Sequence, residues 1–257
     1  MSYSPGRSLP EIEHNLLDVR RRIAAACRRA HRDPGEVRLL PVSKTVDEAR
    51  LRFAYQAGCR EFGENKVQEA RRKAQLLADL PDLCWSVIGH LQTNKTKFVA
   101  RFADELQALD SLRLAAALDR RLQAEGRALD VLIQVNTSGE ASKYGLAPEA
   151  LDAFVRELPA YSSLNVKGLM TLAVFSPDPD RVRPCFARLR QLRDHLRQNA
   201  PDGIGMDTLS MGMSGDFELA IEEGATVVRV GQAIFGPRPR PDSYYWPSDE
   251  MNRGANG

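Results

Sequence analysis

Short apolar runs alternate with amphipathic stretches along most of the chain, and this alternation limits the fold more than any single motif. Each apolar run except the last is followed by sequence with helical spacing. The run Val-Leu-Ile-Gln-Val is apolar on both faces, as strands buried in a parallel sheet are. The eight runs cover residues 37–42, 61–63, 85–89, 105–109, 131–135, 166–172, 206–210 and 226–230.

Eight such units in about 200 residues predict one α/β domain, a closed (β/α)8 TIM barrel. An open doubly wound sheet is the alternative, because alternation alone does not distinguish the two. An extra N-terminal helix is predicted from the capping-box pair Ser8 and Glu11 and from apolar residues at helical spacing between Ile12 and Cys27. This helix would serve as the last outer helix of the barrel, beside the eighth strand.

The two ends of the chain differ in composition from the repeating units. Both are rich in Pro, Gly, Ser, Asp and Arg, which is typical of mobile segments. We therefore expect a flexible N-terminus at residues 1–9, a single barrel domain at residues 10–237 and a flexible C-terminal tail at residues 238–257. No long apolar surface stands out, so a monomer is expected.

Composition excludes several classes of partner. The 257 residues carry 36 Lys and Arg against 34 Asp and Glu, and this net charge of +2 gives no reason to expect nucleic acid. No apolar run approaches the roughly 20 residues of a membrane helix, so no membrane contact is expected. The four cysteines are far apart and form no CxxC pair. We expect no metal site, no disulfide and a cytoplasmic protein.

Lys44 is the strongest candidate for a reactive residue. A barrel places its reactive groups at the carboxyl ends of its strands, and Lys44 directly follows the apolar residues 39–43. Partial desolvation lowers the pKa of a lysine amine, and an unprotonated amine can attack a carbonyl carbon to form a Schiff base. A surface lysine paired with a carboxylate is the alternative interpretation of this position.

The segment Leu-Ser-Met-Gly-Met-Ser-Gly-Asp at 209–216 offers small residues and two hydroxyls, Ser210 and Ser214, after the seventh strand. A helix beginning near Ser214 would present unpaired N–H groups to a phosphate, although Ser214 fits a plain N-cap equally well. After the eighth strand, Gly231 follows Arg229 and would let a ligand approach the backbone. Barrels often bind phosphate in these last two loops.

Three further residues follow strands. Asn65 would bond a ligand oxygen or cap the next helix, and His90 would act as a general base or as a structural hydrogen-bonding residue. Met170 ends the sixth strand, where the residues are mostly apolar. The loop at 136–145 is long enough to cover part of the barrel mouth, and we assign it no role.

Five segments in a fixed order resemble one family. The chain is similar over residues 10–237 to the pyridoxal phosphate (PLP) homeostasis proteins, a PLP-binding barrel family akin to the N-terminal domain of alanine racemase. The segments that carry this resemblance are Val-Ser-Lys-Thr at 42–45, Phe-Gly-Glu-Asn at 62–65, Ile-Gly-His-Leu-Gln at 88–92, Leu-Ser-Met-Gly-Met-Ser at 209–214 and Val-Arg-Val-Gly at 228–231.

The resemblance implies that the barrel holds pyridoxal 5′-phosphate as an aldimine with Lys44, its phosphate near Ser210, Ser214 and Gly231. Arg229 would then meet either the pyridine nitrogen or the phosphate. At the nitrogen, an arginine hinders protonation and weakens the ring as an electron sink. The full set expected to bind the cofactor is Lys44, Asn65, His90, Met170, Ser210, Met211, Gly212, Ser214, Arg229 and Gly231.

The resemblance also implies a role in intracellular vitamin B6 homeostasis without catalytic turnover, with apo PLP-dependent enzymes as partners. Related racemases carry a second β domain and a tyrosine base from a partner subunit, and this chain ends soon after its last predicted strand. A racemase-like PLP enzyme using His90 or Tyr144 as its one base is the alternative. A PLP-independent Schiff-base aldolase fits Lys44 but not the combined motifs.

Overall fold

The computed structural model describes residues 4–237, and its strands form one parallel sheet that closes into a barrel. The strand order is β1-β8-β7-β6-β5-β4-β3-β2. β2 returns to β1 through a bridge between Val42 and Gly63, where the Ser43 N–H donates to the Gly63 carbonyl at 3.0 Å. The strands are β1 Arg38–Pro41, β2 Glu61–Glu64, β3 Cys84–Val87, β4 Glu105–Leu109, β5 Leu129–Gln134, β6 Leu164–Met170, β7 Thr208–Ser210 and β8 Val227–Val230.

Helices alternate with these strands around the barrel. Within residues 4–237 every strand is followed by one helix, so the predicted (β/α)8 barrel is confirmed and the open sheet is wrong. No helix in this part of the chain combines the length and the apolar character that crossing a membrane requires. The helices are α1 Leu9–Arg29, α2 Glu48–Gln56, α3 Val67–Leu76, α4 Thr96–Phe102, α5 Leu112–Ala124, α6 Leu151–Glu157, α7 Pro179–Asn199, α8 Phe217–Glu222 and α9 Gln232–Phe235.

The last strand is also followed by a helix, which the sequence analysis did not expect. Helix α9 has four residues, so its apolar residues are too few to show a helical period. Four short 3₁₀ turns complete the described structure, at Pro34–Glu36, Thr93–Lys95, Pro148–Ala150 and Leu158–Ala160.

Helix α1 fills the outer ring between α8 and α2, as predicted for an extra N-terminal helix. The Glu11 carboxylate accepts a hydrogen bond from the Ser8 N–H, as the capping-box pattern predicts. The apolar face of α1 is buried, while Arg22 on its other side bonds Glu218 of α8 at 3.0 Å. Helix α1 therefore closes the outer ring of helices, because it packs both against α2 and against α8 and α9.

Asn15 ties α1 to the other end of the described chain. Its Nδ2 donates to the Ile234 carbonyl at 2.9 Å and to the Ser4 carbonyl at 3.4 Å. Gly6 is buried at the same contact. No larger residue fits there, because a β-carbon at this position would lie 2.5 Å from the Ile234 carbonyl oxygen. Residues 1–3 and the predicted tail at 238–257 lie outside the described residues, and the flexibility of both ends stays a prediction.

We expect Asn15→Ala to lower the free energy of unfolding by about 1–3 kcal/mol, because it leaves the buried Ile234 carbonyl without its donor. Urea denaturation measures the effect. Asn165→Ala is the control, since Asn165 is exposed and bonds Asp130, and its change should stay below about 0.5 kcal/mol. Equal losses in the two variants would contradict the role assigned to Asn15.

Candidate functional site

A chain of hydrogen bonds crosses the interior of the barrel. Ser210 Oγ donates to Gln107 Oε1 and accepts from Arg229 Nη1, each at 2.6 Å. Because β4 and β7 are not neighbours in the sheet, the first of these bonds must span the interior. Gln107 Nε2 donates to Glu105 at 2.7 Å, and Arg229 Nη2 donates to the Thr171 carbonyl at 2.7 Å. Four strands are therefore joined by side chains at their inner faces.

Arg229 places a cation beneath the barrel mouth. Its side chain lies on β8 and is 3% exposed. Burial lowers the pKa of Arg229 to about 10, while the nearby Asp216 and Glu105 carboxylates act in the opposite direction. The guanidinium therefore stays charged at neutral pH and provides a fixed positive charge inside the barrel.

Lys44 and Gly231 meet in one cleft at the carboxyl ends of β1 and β8. The cleft is lined by both residues together with Val42 and Gln232, and Lys44 is half-buried in it. A β-carbon at Gly231 would lie 3.0 Å from the Val42 carbonyl oxygen, so a glycine lets the two strand ends approach. The structure thus brings together the lysine and the glycine that the sequence singled out separately.

Ser214 contacts the start of α9 rather than capping α8. Its Oγ accepts hydrogen bonds from the N–H groups of Gly231 and Ala233, at 3.2 and 3.3 Å. Helix α8 has Asp216 at its N-cap and begins three residues later than the predicted position near Ser214. The reason is a turn before the helix, in which the Asp216 carboxylate accepts from the Met213 N–H. Ser214 is left to contact the neighbouring loop.

Met170 lies beside Ser210 in the sheet, and Met211 and Gly212 directly follow Ser210 in the chain. Met211 and Met170 are fully buried, and Met170 pairs in register with Ser210. Gly212 has φ +92° and its carbonyl accepts from the Arg229 N–H at 3.0 Å. A β-carbon at Gly212 would lie 2.6 Å from the β-carbon of Ala220, so both the conformation and the packing require glycine.

Asn65 and His90 lie on the β2–β3 side of the mouth, apart from this group. The His90 ring stacks on Tyr144 with centroids 3.9 Å apart, and its Nδ1 lies 3.1 Å from Asp110 Oδ2. The loop at 136–145 therefore reaches across the mouth to the end of β3. Asn65 does not cap the next helix, because α3 has Lys66 at its N-cap.

Gln134 is a residue of the mouth that the sequence analysis missed. It pairs in register with Met170, which pairs with Ser210, so all three face the interior. Its Nε2 donates to the Tyr144 carbonyl at 3.1 Å, which fixes the orientation of the amide. Its buried Oε1 has no hydrogen-bond partner among the described residues. The signal was the one glutamine in the otherwise apolar run 131–135, and Gln107 was missed in the same way in the run 105–109.

A family model described as alanine racemase, N-terminal domain, matches residues 8–239. The chain therefore belongs to this family of barrels. The pyridoxal phosphate homeostasis protein of Pseudomonas aeruginosa is 45% identical over 227 residues, covering 88% of this chain and 96% of that protein. The one from Aquifex aeolicus is 43% identical, covering 87% and 96%. The chain thus belongs to the pyridoxal phosphate homeostasis protein family, and the resemblance seen in its motifs is confirmed.

Solved structures agree with this assignment. PipY of Synechococcus elongatus, whose structure was solved with PLP bound, is 36% identical with a TM-score of 0.77, covering 88% of this chain and 100% of that one. Alanine racemase of Corynebacterium glutamicum is 18% identical with a TM-score of 0.67, covering 90% of this chain and 62% of that one. The second likeness shows the fold alone.

We expect Gln107→Leu and Ser210→Ala each to lower the free energy of unfolding by about 1–3 kcal/mol, because the first removes the acceptor of the buried Ser210 hydroxyl proton and the second removes the donor to the buried Gln107 Oε1. The double variant should cost less than the sum of the two by at least about 0.5 kcal/mol. Urea denaturation of all four proteins measures this coupling. Ser210→Ala combined with Asn15→Ala is the control and should be additive. Additivity in the first pair would show that the bond across the interior does not couple the strands.

Proposed function

We propose that this protein binds pyridoxal 5′-phosphate at the barrel mouth through Lys44 and acts as a monomer in cytoplasmic vitamin B6 homeostasis, supplying apo PLP-dependent enzymes. The observation that carries the proposal is the single cleft shared by Lys44 and Gly231. The cleft combines the Lys44 amine with Gly231, whose N–H donates, together with that of Ala233, to Ser214 Oγ. The names of the relatives and the PLP-bound structure of PipY support the same ligand.

The residues at the mouth fit the chemical groups of PLP. The N–H groups of Gly231 and Ala233 both donate to Ser214 Oγ in this structure, and they would exchange this acceptor for a phosphate oxygen when PLP binds. The buried Gln134 Oε1, which has no hydrogen-bond partner within residues 4–237, is an acceptor that a donor on the ligand would satisfy.

Lys44 supplies the covalent bond in this proposal. PLP brings an aldehyde, and the Lys44 amine adds to its carbon; the C=N bond then forms as the carbonyl oxygen leaves as water with the two amine protons. Hydrolysis reverses the reaction, so the bond suits storage and release. Lys44 is half-buried at the end of β1 and lines the cleft, so its amine lies where the aldehyde would enter.

Arg229 is proposed to face the pyridine ring rather than the phosphate. Its two Nη atoms bond Ser210 and Thr171, at the ends of β7 and β6. Ser214 and not Arg229 contacts the N–H groups suited to phosphate. A guanidinium at the ring nitrogen opposes its protonation and weakens the electron sink that carbanion chemistry needs. This supports a carrier without turnover.

We expect Lys44→Ala to abolish the covalent PLP adduct while the barrel still folds, because Lys44 follows β1 and is half-buried rather than part of the core. The measurement is a visible absorption spectrum with PLP, then borohydride reduction and peptide mass mapping. Lys167→Ala is the matched control, since Lys167 lies on β6 beside Asp130 and should leave the adduct intact. A reducible adduct of unchanged stoichiometry in Lys44→Ala would refute the assignment.

A racemase-like enzyme is the second candidate, favoured by one observation. His90 lies 3.1 Å from Asp110 at the mouth, and a carboxylate that orients an imidazole is typical of a general base. We expect the PLP-loaded protein in D₂O to exchange the α-protons of amino acids no faster than free PLP does, as followed by NMR. Faster exchange that disappears in His90→Asn would instead establish the enzyme.

A further inference from the structure

A buried ion cluster lies behind Lys44, between β2 and α3. Its members are Lys73, which is 1% exposed, Glu64, which is fully buried, and Glu69, which is 21% exposed. Lys73 Nζ lies 2.6 Å from Glu64 Oε1 and 2.7 Å from Glu69 Oε1. One buried cation is thus held by two carboxylates, and the chemistry proposed for the barrel mouth uses none of the three.

The cluster contacts both chain neighbours of Lys44. On the N-terminal side, Lys73 Nζ donates to the Ser43 carbonyl at 2.7 Å, and Ser43 Oγ donates to Glu64 Oε1 at 2.6 Å. On the C-terminal side, the Thr45 N–H donates to Glu69 Oε1 at 2.8 Å. The backbone is therefore held immediately before and immediately after Lys44.

Thr45 needs such a restraint. Its φ is +65°, in the left-handed region that a β-branched residue rarely adopts. The bond from its N–H to Glu69 stabilises the turn in which β1 ends and the chain leaves the barrel wall. The direction in which the Lys44 side chain leaves the backbone depends on this turn.

Stability alone does not account for the cluster. Burying charges is costly, and apolar residues of similar volume often serve packing as well or better. Glu64 has a buried Oε2 without a hydrogen-bond partner in the described part of the chain, and burial raises the pKa of this carboxyl. Apolar side chains could not bond backbone groups, whereas the charged atoms of this cluster bond the Ser43 carbonyl and the Thr45 N–H.

We infer that Lys73, Glu64 and Glu69 are positioning residues that fix the backbone on both sides of Lys44 and so set the rate at which its amine reacts with an aldehyde. The inference rests on the proposed function of Lys44. A side chain held in its reactive direction does not have to lose conformational freedom during the reaction. Loosening the turn at Thr45 therefore slows the reaction without removing the amine.

Glu69→Ala tests this inference, because Glu69 is the most exposed member and the one that holds Thr45. We expect the rate of PLP adduct formation on Lys44, measured by timed borohydride quenching and peptide mapping, to fall about tenfold, equivalent to about 1.4 kcal/mol. Glu69→Gln keeps an acceptor for the Thr45 N–H and should restore most of the rate. Glu222→Ala is the matched control, since Glu222 is 24% exposed and bonds two arginines far from Lys44.

Two measurements on the protein without PLP separate this inference from the proposed function. Hydrogen exchange at the Thr45 N–H should quicken in Glu69→Ala. The rate at which trinitrobenzenesulfonate labels Lys44 should fall in the same variant, while the rate at Lys167 stays the same. If the wild-type protein forms no PLP adduct, the proposed function fails, and these readouts still decide whether the cluster positions Lys44.

The inference is overturned if Glu69→Ala reacts with PLP and with the labelling reagent at wild-type rates, or if Glu222→Ala slows both to the same extent. Ser43→Ala is the second variant should Glu69→Ala not fold. It removes one hydroxyl that bonds Glu64, and it should slow adduct formation about threefold at temperatures where the protein stays folded. An unchanged rate in Ser43→Ala would then overturn the inference.

Discussion

The seam between β1 and β8 is the contact on which the rest of the structure depends. At its upper end the Val42 N–H donates to the Val230 carbonyl at 2.8 Å, joining strands from opposite ends of the sequence. Lys44 and Gly231 each follow this hydrogen bond within a few residues. Because the strands are parallel, closing the seam puts an amine and a set of backbone N–H groups on the same rim. The candidate site therefore follows from the pairing of β1 with β8 that closes the barrel.

Two polar networks lie on opposite sides of the barrel wall, and together they restrain the residues of the mouth. Inside, the bond between Gln107 and Ser210 joins β4 and β7, which are not neighbours, and Arg229 bonds Ser210 from β8. Outside, Lys73 and Glu64 hold the end of β1 against α3. Neither network is the choice that maximises stability, since buried ionic groups are costly to desolvate. In both networks, hydrogen bonds fix the orientation of side chains and backbone groups, which apolar packing would leave adjustable. A site for one small ligand requires such fixed orientations.

The sequence predicts the barrel and the residues that directly follow its strands, because alternation and strand ends are local signals. It does not predict how Ser214 is used, since that depends on the turn held by the Asp216 carboxylate. Gln134 was overlooked because a single amide does not change the apolar character of the run 131–135. Lys73 lies four residues after Glu69, a spacing typical of a solvated helix face, and only the packing of α3 on β2 shows that it is buried.

Helix α1 also determines when the molecule can be completed during synthesis. Its buried face packs against α8 and α9, and Asn15 bonds a carbonyl of α9. Helix α1 is synthesised long before α8 and α9, so nearly all of the described chain is made before these two partners exist. Contacts of such high sequence separation form slowly, and until they form α1 exposes apolar residues to water. The arginines on its other face keep this early helix charged and so oppose its association with other nascent chains.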